Sequence, residues 1–571
     1  MFVIVPTALL VLYAGTFTYI YPDLIPKGVN YVFSHRLLKY SLIIFLLECL
    51  AALLIMNIKQ PDELNIKLPK TKPSFVDLVL LLIPLSTLVQ YVLNNTDSLS
   101  FVGSILFILF FLLFSGLFVF VLPTLLGVLS SPRILMSLGM AFVYTLINMA
   151  SLSYQFSWLN FGSLKIQLLF YGLIFLITLI LLHLKNKRDL FVLVCIYFIA
   201  SIIFQIIPQN NVDSEQAATS IEQGLPAFVA GKTPQLTPNI YLLVYEAYVA
   251  NETMMAYGID NSQQEAYLHE LDFELYTQTY TIGPYTLASM SRLLNASSSY
   301  HGRTRKGVSG HGIVHNIFRD IGYKTYGIFP NDFMFRDNES GYDYSIPGKA
   351  LPSYAYLISS VLMGEFRFDL FDIGYSELSY EKYIEEKHNI FTNFTPDPIF
   401  MYTHSKFPGH SQNSGTCLPD EIDLYEEGLR EANLEMRNDV ELITQNDPEA
   451  IIIIAGDHGP YLTKNCTTTS GVYDKSEISR LDVQDRYGSF LAVKWPTEDY
   501  KHLDEITVLQ DLFPVIFAYL YDNDDFLKFK VDPVILHNSS VSEVSVENCV
   551  IQGGTHDGEY LFEACSSTHD E

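Results

Sequence analysis

The sequence predicts a multi-span helical membrane domain followed by an α/β domain whose mainly parallel sheet lies between helices. Three observations carry this. Charge changes abruptly near residue 207: residues 1–207 sum to +5 and the remainder to −32, in a 571-residue chain of net −27. Long apolar runs fill the first part. In the second, short β-branched runs alternate with charged amphipathic stretches, and two of the runs end in acids. The expected division is a helical membrane domain at 1–207, a connector at 208–236, an α/β domain at 237–525 and a C-terminal extension at 526–571.

Apolar segments at 2–20, 40–57, 77–94, 101–126, 134–152, 166–184 and 190–207 each approach the length that crosses about 30 Å of hydrocarbon. The segment at 2–20 has no basic n-region and no small-residue cleavage site, so it reads as a retained helix. Seven spans put the two ends on opposite sides. With the N-terminus inside, the inner loops hold Lys59, Lys67, Lys70, Lys72, Arg133, Lys185, Lys187 and Arg188. The outer loops hold Lys27, Arg36, Lys39 and Lys165. Basic residues mark the cytoplasmic side, which predicts N-in, C-out and an acidic domain outside the cytoplasm.

That acidity argues against nucleic acid as a partner, because phosphate backbones reward basic surfaces. Its ordinary reading is a solvated surface. Cys417, Cys466, Cys549 and Cys565 lie in the second part, an even set that suits an oxidising compartment. Nearness pairs Cys417 with Cys466 and Cys549 with Cys565, one of three pairings open to them. Cys49 and Cys195 fall in apolar runs and read as packing residues.

Residues 208–236 contain Pro208, Gly224, Pro226, Gly231 and Pro234 and read as a connector along the membrane surface. Strands follow at Ile240–Tyr245, Thr325–Phe329, Ile399–Thr403, Ala450–Ala455 and Tyr487–Val493. Helices fall at His311–Ile321, with Gly322 as its C-cap, at Glu421–Thr444 and at Val508–Tyr519. Helix then strand, repeated, means a mainly parallel sheet covered on both faces. Residues beyond about 530 read as irregular.

In such sheets, ligands gather at the carboxyl ends of strands. Glu246 ends the first strand, and Asp457-His458-Gly459 ends the strand at Ala450–Ala455. Thr286 sits in Gly283-Pro-Tyr-Thr-Leu-Ala-Ser-Met-Ser-Arg292, a turn that opens a helix. Two carboxylates, an imidazole and a hydroxyl make a four-ligand shell for a small divalent cation. A hydroxyl held at a metal and a helix N-terminus can lose its proton and attack phosphorus. Singly, Glu246 and Thr286 also read as capping residues and Asp-His-Gly as a turn. The four together point to a metal centre.

These motifs resemble the alkaline-phosphatase/sulfatase superfamily, in its membrane-anchored branch of phosphoethanolamine and phosphoglycerol transferases. Pro-Asn-Ile-Tyr-Leu-Leu-Val-Tyr-Glu246 is similar to the branch's opening strand, Thr286-Leu-Ala-Ser289 to its nucleophile segment, and Ile-Ala-Gly-Asp457-His458-Gly459 to its second metal motif. The resemblance implies Thr286 as nucleophile, with Glu246, Thr286, Asp457 and His458 holding one divalent ion, Zn²⁺ before Mn²⁺. Threonine at the position that sulfatases convert to formylglycine speaks against sulfate-ester hydrolysis. The stretch Phe400-Met-Tyr-Thr-His404-Ser-Lys-Phe-Pro-Gly-His410 follows a strand where the branch keeps a histidine. His410 fits the role of proton donor to the leaving oxygen; His404 is the alternative and a substrate contact. Phe333-Met-Phe-Arg336-Asp337 resembles a stretch of the lipoteichoic-acid synthases whose arginine grips the phosphoryl group. There a tryptophan stands where this chain has Met334, and an upstream histidine has no counterpart near Gly327, which weighs against glycerol phosphate.

The resemblance thus implies a bacterial cytoplasmic-membrane enzyme with its catalytic domain periplasmic or extracellular. It would move a phospholipid head group, phosphoethanolamine or phosphoglycerol, through a phospho-threonine onto a surface glycan or lipid. Two other readings stand beside it: a metal-dependent phosphodiesterase or phosphatase of the same fold, and a non-catalytic membrane receptor or assembly protein.

Overall fold

The computed structural model describes residues 75–94, 100–126, 132–155, 164–183, 187–206, 224–298, 305–335, 340–348, 354, 357–358, 377–393, 396–411, 419–467, 473–503, 506–535 and 541–566. The chain forms two units: Met1–Asn210 with Leu351–Gly374, and Asn211–Ala350 with Tyr375–Glu571.

The first unit is helical throughout its described residues. Helices run over Leu82–Asn94, Phe101–Gly116, Pro132–Gln155, Leu164–His183 and Lys187–Ile206. The second continues through a π-helical turn at Leu117–Val121 into Leu122–Leu126. Tyr91, Phe107, Phe111, Met140, Val143 and Leu190 share a buried core, while Phe101, Leu113, Leu169 and Ile180 point outward. Apolar side chains on both faces are costly in water and natural in lipid.

Two stretches, Val76–Leu93 and Phe101–Thr124, are long and apolar enough to cross a membrane. The seven expected spans are therefore not all matched among the described residues, and 2–20 and 40–57 lie outside them. Pro132–Gln155 carries Arg133, Ser137 and Asn148; Lys187–Ile206 opens on Lys187-Arg188-Asp189; and Leu168–His183 is a shorter apolar helix. The polar groups bond within the unit: Lys187 Nζ lies 2.8 Å from Asp77, and Thr87 Oγ1 3.4 Å from Asn148 Oδ1.

The second unit is built on a seven-stranded sheet: β1 (Ile240–Glu246), β2 (Phe273–Leu275), β3 (Lys324–Ile328), β4 (Tyr344–Ile346), β5 (Ile399–Pro408), β6 (Ile451–Gly456) and β7 (Leu491–Lys494). Its order is β2-β7-β6-β1-β5-β3-β4. The β6–β1–β5–β3–β4 ladders are parallel, and only β7 runs against its neighbours. The sheet is mixed but mainly parallel, as the alternating pattern implies. β1 is central, so both its faces are covered and Ile240 to Tyr245 are all buried. Ile240, Leu242 and Val244 enter one core; Tyr241, Leu243 and Tyr245 enter the other.

Several elements differ from the sequence reading. Tyr487 ends a helix, Arg480–Tyr487, started by a capping box between Ser479 and Asp482, and the strand begins only at Leu491. That local cap outweighs the apolar run that follows it. A helix, Gly224–Val229, lies in the expected connector. The residues beyond 530 hold a hairpin, β8 (Ser545–Glu547) with β9 (Val550–Gln552), around a core of Val541, Val544, Leu561 and Phe562. The Cys549–Cys565 disulfide closes this piece, matching the pairing by nearness. Cys466 is also disulfide-bonded, Cys417 lies outside the described residues, and Cys195 is free.

His315 is wholly buried against Tyr342 and Phe400, with neither ring nitrogen hydrogen-bonded. Burial, helped by Arg319 and His311, lowers its pKa from 6.5 to about 3. The folded ring stays neutral while the unfolded one binds a proton below about pH 6.5, so its effect is loss of stability as pH falls from there towards 3. Between pH 7 and pH 5 the loss is about 2 kcal/mol. His315→Leu is expected to flatten the urea-midpoint profile over that range by about this amount; an unchanged slope would show that His315 is not its source.

Candidate metal centre

Strand register builds the site. Tyr245 pairs with Gly456, so Glu246 stands level with Asp457, the first residue beyond β6. On the other side Val244 pairs with His404, and an irregularity after Tyr245 shifts Glu246 to Pro408. The extra residues carry the chain outward, and Gly409 N–H returns to Glu246 O at 3.0 Å. Three neighbouring parallel strands thus deliver Glu246, His404 and Asp457-His458 to one edge.

Among the described residues, one ligand atom from each of Glu246, Asp457 and His458 falls within 4.8 Å of the others. His458 Nε2 lies 3.3 Å from Glu246 Oε1 and 3.2 Å from Asp457 Oδ2. Its Nδ1–H donates to Gly459 O at 2.8 Å, which aims Nε2 at the carboxylates. Asp457 is wholly buried; Oδ1 accepts from Ala247 N–H at 2.8 Å, whereas Oδ2 is buried with no hydrogen-bond donor. An unsatisfied buried carboxylate oxygen facing an imidazole nitrogen and a second carboxylate fits a bound cation. The donor set suits zinc and also manganese.

Thr286 is the first residue of the helix Thr286–Leu293. Its Oγ1 lies 3.2 Å from His458 Nε2 and 3.5 Å from Glu246 Oε1. Tyr285 at the cap is extended and gives no side-chain cap, so the first N–H groups stay available to an anion. Gly283 shapes the approach, since a Cβ there would lie 2.4 Å from the Ala288 backbone. Ser289 is wholly buried and accepts from Thr281 Oγ1 at 2.6 Å, away from the cluster.

His404 sits behind the carboxylate rather than at an open face. It is 3% exposed, its Nε2 is 3.0 Å from Glu246 Oε2, and Tyr402 O–H lies 2.9 Å from Nδ1. The sequence reading gave it as a substrate contact; in the structure its ring faces Glu246 and orients that side chain. His410 is more open; its Nδ1–H donates to Ser411 O at 2.8 Å and Nε2 lies 3.8 Å from Glu246 Oε1. Arg336 lies outside the described residues, but Phe335 before it stacks on Phe329 and places its ring 5.0 Å from His404. At Gly327 a Cβ would meet the Tyr342 ring at 2.7 Å.

Burial opposes charge on Glu246, but hydrogen bonds from His404 and His458 overcome it and hold its carboxyl well below the usual range. Burial likewise pushes His458 down, yet Asp457 and Glu246 hold it above its ordinary value. The pocket therefore draws positive charge.

Tyr461 escaped the sequence reading. Its ring stacks on His458 with centroids 4.8 Å apart, and its O–H donates to Pro284 O, tying the Asp-His loop to the turn before Thr286. It sits at φ +61°, and Ala247 beside Glu246 at +58°, left-handed conformations that cluster at functional sites. Gly459 is required because the backbone of Asp485 would lie 2.0 Å from a Cβ there. A tyrosine two residues beyond Asp-His-Gly was the available signal.

No family model matches this chain, and no curated protein does. Solved structures do. The C-terminal periplasmic domain of EptC from Escherichia coli, in complex with Zn, aligns at 15% identity and TM-score 0.33, over 53% of this chain and 90% of that one. The corresponding domain of the phosphoethanolamine transferase EptC from Campylobacter jejuni aligns at 13% and 0.30, over 51% and 94%. A protein in the alkaline phosphatase superfamily from Vibrio parahaemolyticus aligns at 11% and 0.35, over 58% and 79%.

Proposed function

We propose that this chain is a membrane-bound, metal-dependent phosphotransferase that moves a phospholipid head group onto a cell-envelope glycan or lipid. One observation carries the reading: a threonine hydroxyl at an uncapped helix N-terminus touches a buried Glu-Asp-His cluster whose inner carboxylate oxygen has no protein donor. A divalent ion held by Glu246, Asp457, His458 and Thr286 would favour the threonine alkoxide and offset charge on the phosphoryl oxygens.

The chain's own groups do the rest. His404 fixes Glu246, and Ala247 N–H with the Gly459 carbonyl fixes Asp457 and His458. Thr286 Oγ gives its proton to Glu246, whose Oε1 lies 3.5 Å away, and bonds to phosphorus, while the bond from phosphorus to the diacylglycerol oxygen breaks. His410, entering protonated, hands a proton to that oxygen through Nε2. The acceptor hydroxyl then loses its proton to His410 and displaces Thr286, whose oxygen takes its own proton back from Glu246, restoring the enzyme. Phosphoethanolamine and phosphoglycerol are the head groups in view, with the domain facing the periplasm or exterior of a bacterial cytoplasmic membrane. The seven-span, N-in arrangement is part of this proposal.

The test is intact mass of the full chain after incubation with phosphatidylethanolamine or phosphatidylglycerol in the presence of zinc. The expected result is a head-group phosphate adduct on a Thr286 peptide, and the mass names the donor. Free head-group phosphate released with no transfer to any acceptor would favour the hydrolase; no adduct and no release would favour a non-catalytic protein.

A further inference from the structure

Among the described residues, one buried cation next to the metal cluster forms no ion pair. Arg486, in the last turn of the helix Arg480–Tyr487, is 6% exposed, and its Nε and Nη1 are buried without hydrogen-bond partners. Its Cζ lies 4.1 Å from the centroid of the Tyr461 ring. The same ring stacks parallel to His458 and lies 5.2 Å from His410. A single aromatic ring therefore links the guanidinium to the residues around Thr286. The backbone fixes this arrangement, since Gly459 N–H donates to Arg486 O at 3.3 Å.

The adjacent acid does not neutralise it. The Asp485 carboxylate accepts from Tyr257 O–H at 2.6 Å, Leu462 N–H at 2.7 Å, and Thr463 Oγ1 and Asn465 Nδ2 at 2.8 Å each. It holds the Leu462–Asn465 loop instead. A cation–π contact returns about 0.5–2 kcal/mol, less than the several kcal/mol that burying an unpaired charge costs. A ligand that brings its own anion would close the gap, and the planar fork of arginine matches the oxygen spacing of phosphate-like groups as well as that of carboxylates.

We infer that Arg486 belongs to an oxyanion subsite beside the metal cluster, holding a phosphate- or sulfate-like group of a ligand seated against Tyr461. The inference deepens the transferase reading by giving the substrate a second anchor, but its test is independent of transfer. The full chain in detergent is freed of metal, and its melting temperature is followed against millimolar sulfate, with chloride at matched ionic strength as reference. Sulfate at this level lies below the range where excluded solutes stabilise proteins generally. The wild type is expected to show a saturable rise, as binding to the folded state alone requires. Arg486→Met should lose the rise and, without sulfate, melt no lower than wild type, because an unpaired buried charge has been removed. Arg486→Lys, which keeps the charge but not the fork, should need at least tenfold more sulfate for half the effect. Glycerophosphoethanolamine is titrated in parallel: a shift with both probes assigns the subsite to the donor's own phosphodiester, and a shift with sulfate alone assigns it to a separate dianionic group. No saturable rise in the wild type, an undiminished rise in Arg486→Met, or an unchanged midpoint in Arg486→Lys overturns the proposal.

Discussion

Thr286→Ala is expected to lower head-group transfer by a factor on the order of 10³ or more and to abolish the covalent adduct. A covalent route has no substitute once its nucleophile is gone; what survives is the uncatalysed attack of acceptor on a bound donor. The protein should remain folded, since one small side chain typically contributes only about 1 kcal/mol. Thr286 is 3% exposed, and among the described residues its hydroxyl bonds to Glu246 and His458 at 3.5 and 3.2 Å. Zinc content should stay close to wild type, because the Glu246-Asp457-His458 set is intact. That separates loss of the nucleophile from loss of the metal. Ser289→Ala is the internal control. Ser289 is wholly buried, bonded to Thr281 and backed by Gln510. It should lose stability and keep a measurable rate. Full activity in Thr286→Ala with none in Ser289→Ala would move the nucleophile one helical turn; full activity in both would sink the transferase reading.

The sequence made part of this site legible because strand ends are legible. A β-branched run that closes on an acid marks where a buried strand meets solvent, and parallel neighbours then align their ends by register alone. Glu246 and Asp457 come level because Tyr245 pairs with Gly456, a consequence of sheet order that two separated motifs already imply. Tyr461 and Arg486 offer no such regularity. Their meeting depends on a left-handed turn and on a helix arriving from a distant segment. The strand expected at Tyr487 failed for the opposite reason. Its composition was right, but a capping box a few residues earlier had already set a helix in motion. The C-terminal piece read as irregular because three-residue strands carry too little period to see, and a disulfide completes their small core. In the first unit, apolar length alone announced helices. It did not distinguish a span from a helix whose polar residues bond to its neighbours, as Thr87 and Asn148 do.

Lys387→Met is expected to destabilise the second unit by about 3–5 kcal/mol, the cost of leaving buried charges without their partner. Lys387, Glu435 and Asp439 are all buried, with the ammonium 2.6 Å from Asp439 and also bonded to Glu435. Burial alone would lower the Lys387 pKa, but Asp439 and Glu435 overcome it and hold the ammonium above its usual range. Removing it strands two carboxylates that only neutral donors and His388 then satisfy. Tyr380 O–H and Ser405 Oγ donate to Glu435 at 2.8 Å each, and Tyr245 O–H donates to Asp439 at 3.1 Å. Methionine matches the length of the lost side chain, so little of the effect comes from a cavity. Adding Glu435→Gln and Asp439→Asn should restore much of the stability, because charge imbalance and not lost volume is the cause. Ser405 follows His404 and Tyr245 precedes Glu246, so the network grips the two strands that carry the centre. The single variant should therefore bind zinc more weakly even at temperatures where it is folded, and the triple variant should recover part of that affinity. Urea unfolding by near-ultraviolet circular dichroism, with zinc titration of the folded state, measures both. A loss below about 1 kcal/mol would mean that water or relaxation compensates the stranded charges and that the network does not hold the strands in place.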